Sequence, residues 1–374
     1  MKRIVHLPAF PALLFALAAC GDGPSGLAAP PSPAPVVSVE LVAPWAEASP
    51  AQVGMNAAAL DNALSAAAAI PRLRSLLVVK DGKLVAEEYF GGADRQTLHD
   101  VRSVTKSVVG TLAALAVADG YIESLDDRIA RYLSPDVATL DIEQGLITIR
   151  HLLTMTGGFE WDESGGIGDY GVWIRSDDHI GMLLERPIRT PPGSKFRYNS
   201  AAVHLLGVVI EEAVGQPLSS YAREALFAPI GVQVAEWEPL TRGYVNGGSG
   251  IDLTARDLAR FGQLYLQDGM SGTRRILPEG WVDTATRSNF SWRSAYGSLD
   301  RYTYGHLWWV SESQPESAYL AWGYGGQFVY VVPDLDLVVV ATTDWVRLSA
   351  EGGPVPLERA VLGVLIDGVH PAAR

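Results

Sequence analysis

Strand-like and helix-like segments occupy different parts of this chain, and their order limits the folds open to it. Residues 75–80 and 83–90 are rich in β-branched and apolar side chains and flank Asp81-Gly82, a dipeptide that strongly favours a two-residue hairpin turn. The same character returns near the other end of the chain. The predicted C-terminal strands are 304–310, 318–322, 327–332 and 337–343, with a turn at 333–336.

The middle of the chain has the periodicity and the capping residues of helices. The predicted helices are 56–70, 108–117, one that follows the N-cap Thr148, 201–214, 254–266 and a closing helix at 357–366. Residues 157–175 are rich in glycine, acids and aromatic side chains and are predicted to form a long loop. Because hairpin-connected strands build antiparallel sheets, we predict an α+β fold. One antiparallel sheet is built from N- and C-terminal strands, with a helical region inserted between them.

The composition and charge of the chain indicate how many domains it can form and argue against a nucleic-acid partner. A chain of 374 residues with 48% apolar content can bury one large core, and we predict one domain over residues 51–368. The formal net charge is −13 at pH 7, and no stripe rich in Lys and Arg is visible. This balance argues against a nucleic-acid partner.

The N-terminus predicts export and lipidation. A positively charged start precedes residues 7–19, an apolar stretch too short to span a bilayer as a helix. It ends at Cys20, the single cysteine of the chain, in a pattern that resembles a bacterial lipoprotein signal; the alternative is an ordinary secretory signal. We predict a signal peptide at 1–19 and a proline-rich tether at 20–50 that carries a lipid on Cys20. Gly21 after the cysteine indicates the outer membrane, with the protein facing the periplasm.

Ser103 and Lys106 stand at the start of the apolar helix predicted at 108–117. A serine hydroxyl is a weak nucleophile until a base removes its proton. A lysine three residues later on a helix lies on the same face, and an apolar pocket lets it lose its charge and act as that base. A helix N-terminus also offers free N–H groups to a developing negative charge. Taken alone, the pattern fits a capping serine and a solvated lysine equally well.

Three further segments make the pattern specific. They read IRHLLTMTGG at 149–158, PGSKFRYNS at 192–200 and GYGGQ at 323–327. With Ser103 and Lys106, their order and spacing resemble the serine β-lactamase-like hydrolases. That family includes class C β-lactamases, D-amino-acid-releasing peptidases, esterases and 6-aminohexanoate-dimer hydrolases. The resemblance covers about residues 51–368.

The resemblance implies a role for each motif residue. Ser103 corresponds to the serine that is acylated, and Lys106 to its lysine partner. Tyr198 corresponds to the tyrosine that shuttles the proton between the serine, the lysine and the leaving group. The backbone N–H groups of Ser103 and Gln327 correspond to the oxyanion hole. The implied substrate is a small-molecule ester or amide, and no cofactor is implied.

Two positions depart from the family pattern. Ser200 stands where the family has the asparagine of Tyr-x-Asn, and a serine has less reach to orient a substrate amide. Tyr324, followed by Gly325 and Gly326, stands where Lys-Thr-Gly has its cation; the glycines would let a substrate approach the strand backbone closely. A charged hydrogen bond contributes roughly 1.5 to 3 kcal/mol. We therefore expect β-lactams to be poor substrates, which efficient turnover of nitrocefin would contradict.

Aromatic residues of the long loop are candidates for substrate contact. Trp161, Tyr170 and Trp173 are predicted to rim the cleft and bind substrate, although core packing is the alternative for each. The chain has no Gly-x-Ser-x-Gly elbow and no His-Glu-x-x-His or Cys/His cluster, so we predict neither an α/β-hydrolase nor a metal site. The G-x-G-x-x-G match at 166–171 lacks a preceding strand, which argues against a dinucleotide.

Three functional interpretations remain open from the sequence. The first is an exported, lipid-anchored serine hydrolase that cleaves esters or amides through an acyl-enzyme on Ser103. The second is a cell-wall D-Ala peptidase or a β-lactamase. The third is a non-catalytic binding relative that keeps the fold.

Overall fold

The computed structural model describes residues 38–163, 168–233, 235–313, 315–348 and 352–374. The signal peptide at 1–19, Cys20 and most of the tether therefore lie outside the described residues. The strands are β1 (Leu73–Lys80), β2 (Lys83–Tyr89), β3 (His99–Asp100), β4 (Glu236–Trp237), β5 (Ile251–Leu253), β6 (Met270–Ser271), β7 (Arg274–Arg275), β8 (Ser294–Tyr296), β9 (Leu299–Tyr304), β10 (Trp309–Ser311), β11 (Ala318–Gly323), β12 (Gln327–Val332) and β13 (Leu337–Thr343).

Helices fill the segments between and after the strands. They are α1 (Ala57–Ala68), α2 (Val104–Ala118), α3 (Ile149–Leu153), α4 (Gly168–Trp173), α5 (His179–Leu184), α6 (Ser200–Val214), α7 (Leu218–Ala222), α8 (Ala255–Leu266), α9 (Trp281–Thr286), α10 (Val355–Leu362) and α11 (His370–Ala372). A π-helical segment, Gly363–Val369, joins α10 to α11.

The main sheet joins the two ends of the chain. Its eight strands follow the order β2-β1-β13-β12-β11-β10-β9-β8, and every neighbouring pair is antiparallel. β1 pairs directly with β13, for example Val78 with Val339. The predicted α+β fold, a sheet from N- and C-terminal strands with a helical insertion, is confirmed.

Both faces of the sheet are covered by helices. One apolar cluster packs α2, α6 and α8 on one face, and a second packs α1 and the α10–α11 segment on the other. Strand residues alternate between the clusters, as Leu77 and Val78 do. On α8, a Cβ at Gly262 would lie 2.6 Å from Val338 Cγ1, so glycine permits the close approach of helix and sheet.

The turns show where local sequence was sufficient and where it was not. Asp81 and Gly82 have φ values of 52° and 70°, as the predicted hairpin turn requires. The prediction of one strand at 304–310 is wrong, because the chain reverses at Leu307, whose φ is 60°. The Leu307 N–H donates to Leu153 O at 3.0 Å. The Leu307 carbonyl accepts from Ser107 Oγ at 2.7 Å. The long loop predicted at 157–175 contains α4.

Described residues outside the predicted domain bounds of 51 and 368 pack against the domain. Within the segment assigned to the tether, Leu41 is 2% exposed, and its N–H donates to Ser271 Oγ at 2.9 Å. At the other end, Ala372 is buried and its carbonyl accepts from the Asn56 N–H at 2.8 Å. The described domain therefore includes residues before 51 and after 368, because apolar side chains there complete the core.

No single described helix is both long and apolar enough to cross a bilayer. By length and composition alone, α6 and the helical segment Leu218–Ile230 satisfy that test when taken together, with a bend of 81° between them.

Candidate active site

Ser103 and Lys106 meet at the buried N-terminus of α2. Lys106 Nζ lies 2.8 Å from Ser103 Oγ and donates to the Gly248 carbonyl at 2.6 Å. The Lys106 side chain is 1% exposed. Its burial lowers the pKa of Lys106 to about 7; Arg102 also lowers this pKa, whereas Glu163 opposes the shift. Near pH 7 a large fraction of the amine is therefore neutral and within reach of the serine proton.

The local fold fixes this helix end in place. The Val101 N–H donates to the Ile251 carbonyl of β5 at 3.0 Å, and the Ile251 N–H donates to Thr105 Oγ1 at 3.3 Å. Ser103 is the N-cap of α2, yet its side chain makes no capping hydrogen bond. The hydroxyl is therefore available for chemistry instead of being used by the helix.

Tyr198 lies beside the same pair. It precedes Asn199, whose side chain caps α6 by accepting from the Ala202 N–H at 2.9 Å. Lys106 Nζ stands 4.9 Å from the centre of the Tyr198 ring. Burial and then Glu163 raise the pKa of Tyr198, while its hydrogen bond with Ser103 acts in the opposite direction. Tyr198 is thus a protonated phenol at neutral pH, able to relay a proton rather than to act as a standing base.

Glu163 was missed by the sequence analysis. One carboxylate oxygen accepts from Trp161 Nε1 at 2.7 Å and from the Ser200 N–H at 2.6 Å, and the other accepts from Ser200 Oγ at 2.9 Å. Burial raises the pKa of Glu163, and the charge of Lys106 opposes this. The Ser200 hydroxyl, which belongs to a residue predicted to contact substrate, donates to Glu163. The available signal was an acid within the long aromatic loop.

These residues open onto a cavity of about 300 Å³. Its lining residues are Arg102, Ser103, Glu163, Tyr170, Tyr198, Ser200, Ser249, Tyr296, Tyr302, Trp309, Trp322 and Tyr324. Depressions of about 430 Å³ beside β2 and about 590 Å³ between α1 and the C-terminal helix are larger, but neither contains a serine–lysine pair. The cavity therefore brings together Ser103, Tyr198, Ser200, Tyr170 and Tyr324 from the residues predicted for the site.

Three other predicted residues lie behind the cavity wall. Trp161 is 1% exposed, and its indole N–H donates a hydrogen bond to Glu163. Trp173 is 0% exposed, and its Nε1 donates to the His179 carbonyl at 2.8 Å. The Gln327 side chain is buried, with Nε2 2.7 Å from Thr343 Oγ1; the oxyanion-hole role of Gln327 was predicted for its backbone N–H and stays a prediction. In each case a polar side-chain group makes a hydrogen bond inside the protein, and the sequence pattern does not reveal that bond.

The two glycines after Tyr324 are needed for the backbone itself. Gly325 and Gly326 have φ values of 81° and 103°, a region that side chains disfavour. A Cβ on Gly325 would also lie 2.7 Å from Trp345 Cβ. These positions thus let the chain turn from β11 to β12 next to Tyr324, which lines the cavity; the substrate approach predicted at the two glycines stays a prediction.

Arg102 and a glycine-rich segment complete the site and were also missed. Arg102 has a φ of 50°, and its guanidinium lies 4.3 Å from the centre of the Trp345 ring. It pairs with Asp100 at 3.3 Å. Gly248, the acceptor for Lys106, packs against α6, where a Cβ would meet the Ser200 carbonyl at 2.6 Å. The run Gly247-Gly248-Ser249-Gly250 was the visible signal for this close approach.

The family model described as Beta-lactamase matches residues 60–354 of the chain. The protein belongs to the β-lactamase family. Among the described residues of this β-lactamase-family member, no group of three or more His, Cys, Asp or Glu side chains could hold a metal ion.

Named relatives of this β-lactamase-family protein differ in function. It is 31% identical over 197 residues to a protein named "Putative D-alanyl-D-alanine carboxypeptidase" from Escherichia coli (strain K12), which covers 46% of this chain and 44% of that relative. It is 33% identical over 180 residues to esterase EstB of Burkholderia gladioli, covering 42% and 45%. This chain thus spans less than half the length of each of these two relatives. The 6-aminohexanoate-dimer hydrolase of Paenarthrobacter ureafaciens is 23% identical over 293 residues, covering 72% of each chain.

A solved structure supports the fold across most of the chain. The structure described as "Putative 6-aminohexanoate-dimer hydrolase from Bacillus anthracis" superposes with a TM-score of 0.69 at 20% sequence identity, covering 90% of this chain and 89% of that one. At this identity the likeness concerns the fold.

Proposed function

We propose that this protein is a serine hydrolase that cleaves esters or amides of small molecules through an acyl-enzyme on Ser103. The observation that carries the proposal is the 2.8 Å contact between Ser103 Oγ and the amine of Lys106, whose pKa is lowered to about 7. The names of the esterase EstB and the 6-aminohexanoate-dimer hydrolase among its relatives agree with this substrate class.

The proposed reaction has two half-reactions. Ser103 Oγ attacks the carbonyl carbon while its proton passes to Lys106, and Tyr198 relays a proton to the departing alcohol or amine. Water then attacks the acyl-enzyme and gives up a proton to the same groups, which return it to Ser103 Oγ as the acid leaves. The Ser103 N–H at the start of α2 is one donor to the oxyanion. The family resemblance implies the Gln327 N–H, in the segment that follows the cavity-lining Tyr324, as the second donor.

Covalent labelling tests this function directly. Incubation of the purified protein with a fluorophosphonate probe is expected to add one adduct to the intact mass, at Ser103. Folded protein that takes up no adduct, and hydrolyses none of a panel of short acyl esters and linear amides, would instead favour the non-catalytic binding relative.

A second candidate, a D-Ala peptidase or β-lactamase, is favoured by Arg102. Arg102 lines the cavity, and its guanidinium could offer a cation to a substrate carboxylate, although Tyr324 replaces the expected lysine. If this candidate holds, D-Ala-D-Ala peptides or nitrocefin are turned over efficiently, and Arg102→Gln raises their KM about tenfold through loss of a charged hydrogen bond. Arg95→Gln, outside the cavity, is the control. If the ester hydrolase holds, these compounds remain poor substrates in steady-state assays.

We further propose that the protein is exported and held by a lipid on Cys20, at the outer membrane facing the periplasm. The support is the N-terminal sequence alone: a charged start, a short apolar stretch and the single cysteine. An intact mass that shows an unmodified Cys20 in protein isolated from the native cell would reject this proposal.

A further inference from the structure

Glu358, in the first turn of α10, is a buried carboxylate outside the serine–lysine centre. It is 5% exposed, and none of the ion pairs recorded for the described residues includes it. Its oxygens instead accept from the Gly325 N–H at 2.8 Å and from the Tyr296 hydroxyl at 2.6 Å. The Trp322 side chain is a third hydrogen-bond donor to this carboxyl. An isolated buried carboxylate is costly unless such donors replace water.

The three donors all belong to one wall of the cavity. Tyr296 and Trp322 line the cavity, and Gly325 follows Tyr324, which also lines it. Tyr296 comes from β8 and Trp322 from β11, whereas Gly325 lies in the turn that leads to β12. One carboxylate therefore fixes three separate segments of the chain.

The wall lies beyond the catalytic tyrosine along a succession of rings. Tyr198 stacks on Trp309 with centroids 5.9 Å apart, Trp309 meets Trp322 at 5.6 Å, and Trp322 meets Tyr296 at 4.8 Å. Because Tyr296 is three ring contacts away from Tyr198, we expect the substrate group that contacts Tyr296 and Trp322 to be larger than methyl or ethyl. Aromatic surfaces favour apolar and aromatic groups at such a position.

We propose that Glu358 is a positioning residue: it holds Tyr296, Trp322 and the turn after Tyr324 in place as an aromatic subsite that binds the apolar part of the substrate. The role rests on the hydrolase function proposed above and narrows its substrates to esters or amides that carry a sizeable apolar or aromatic group. Glu358 does not contact the reacting atoms.

The substitution Glu358→Gln tests this role with esters of different size. The amide keeps the shape of the side chain, but its NH₂ group faces a donor and loses at least one of the three hydrogen bonds. We expect kcat/KM for ethyl 3-phenylpropionate or 2-phenylethyl acetate to fall about tenfold relative to kcat/KM for ethyl acetate. Glu211→Gln is the matched control, because Glu211 also accepts a backbone N–H, from Leu218 at 2.9 Å, far from the cavity.

A binding measurement separates this role from the hydrolase function. In the Ser103→Ala background, quenching of tryptophan fluorescence by 4-phenyl-2-butanone reports the subsite without any reaction. We expect saturable binding that Glu358→Gln weakens about tenfold and Tyr296→Phe, which removes one donor, weakens two- to threefold. Tyr296→Phe also serves as the test if Glu358→Gln fails to fold.

The outcomes distinguish the two proposals. Binding of the ketone without hydrolysis of any ester would reject the hydrolase and leave the subsite standing. If Glu358→Gln changes all three esters equally, or lowers only the melting temperature, or leaves ketone binding unchanged, Glu358 is structural and the subsite proposal is rejected.

Discussion

Replacing Ser103 by alanine is expected to lower ester hydrolysis by at least about a thousandfold, because no other group can form the acyl-enzyme. The stability of α2 should not fall, since the Ser103 side chain makes no capping hydrogen bond in this helix. The measurements are kcat/KM on a short acyl ester and the intact mass after fluorophosphonate treatment, and the labelled adduct should disappear. An unchanged circular dichroism spectrum and melting temperature would show that the loss is chemical.

Ser107→Ala is the matched control for this experiment. Ser107 lies one turn further along α2, and its hydroxyl is already used by the Leu307 carbonyl at 2.7 Å. This variant should keep the fluorophosphonate adduct even if its stability falls. An adduct that persists in Ser103→Ala would identify a different nucleophile and reject the proposed mechanism.

Lys106→Met is expected to lower kcat/KM by roughly 10²- to 10⁴-fold, the usual contribution of a general base. The loss of activity is expected because the Lys106 amine, whose Nζ lies 2.8 Å from Ser103 Oγ, is the proposed acceptor of the serine proton. The free energy of unfolding should change little. The substitution removes a buried amine whose charged form is disfavoured there, and this offsets the loss of its hydrogen bond to the Gly248 carbonyl. Lys195→Met, which alters an exposed lysine, should leave kcat/KM unchanged.

The pH profile of the same variants identifies the base. Burial lowers the pKa of Lys106 to about 7, so the amine is protonated and inactive below that pH and neutral and active above it. Wild-type kcat/KM should therefore rise with pH through about 7, and Lys106→Met should lose this limb. Glu163 raises the pKa of Lys106, so Glu163→Gln should move the limb to lower pH. A limb that survives unchanged in Lys106→Met would assign the titration to another group.

Much of the fold followed from local signals. The hairpin at Asp81-Gly82 depends on two residues that adopt positive φ. The first and last residues of β12 and β13 coincide with the ends of two largely apolar runs, which a turn at Pro333 separates. The strand predicted at 304–310 failed for the opposite reason. Its reversal at Leu307 is held by Leu153, far away in the sequence, and nothing in the local pattern records that contact.

The candidate site divides in the same way. Ser103 and Lys106 are three residues apart on one helix, so their proximity follows from helical geometry alone. The order of the other motifs indicated that Tyr198 and Tyr324 would join them. Trp161 and Trp173 were assigned to the cleft because they lie in a long loop, but which side of a loop faces a cavity depends on what the rest of the chain packs against it.

The sequence by itself therefore determined the α+β class and predicted the serine–lysine pair of the candidate site, because periodicity, turns and motif spacing act over a few residues. The tertiary structure alone decided that Glu163 faces Lys106, that Arg102 reaches the cavity and that Glu358 organises its aromatic wall. The physical reason is that the energy and the pKa of a buried charged group depend on its hydrogen-bond and ionic partners and on its loss of hydration. Both arise only when segments distant in sequence close around it.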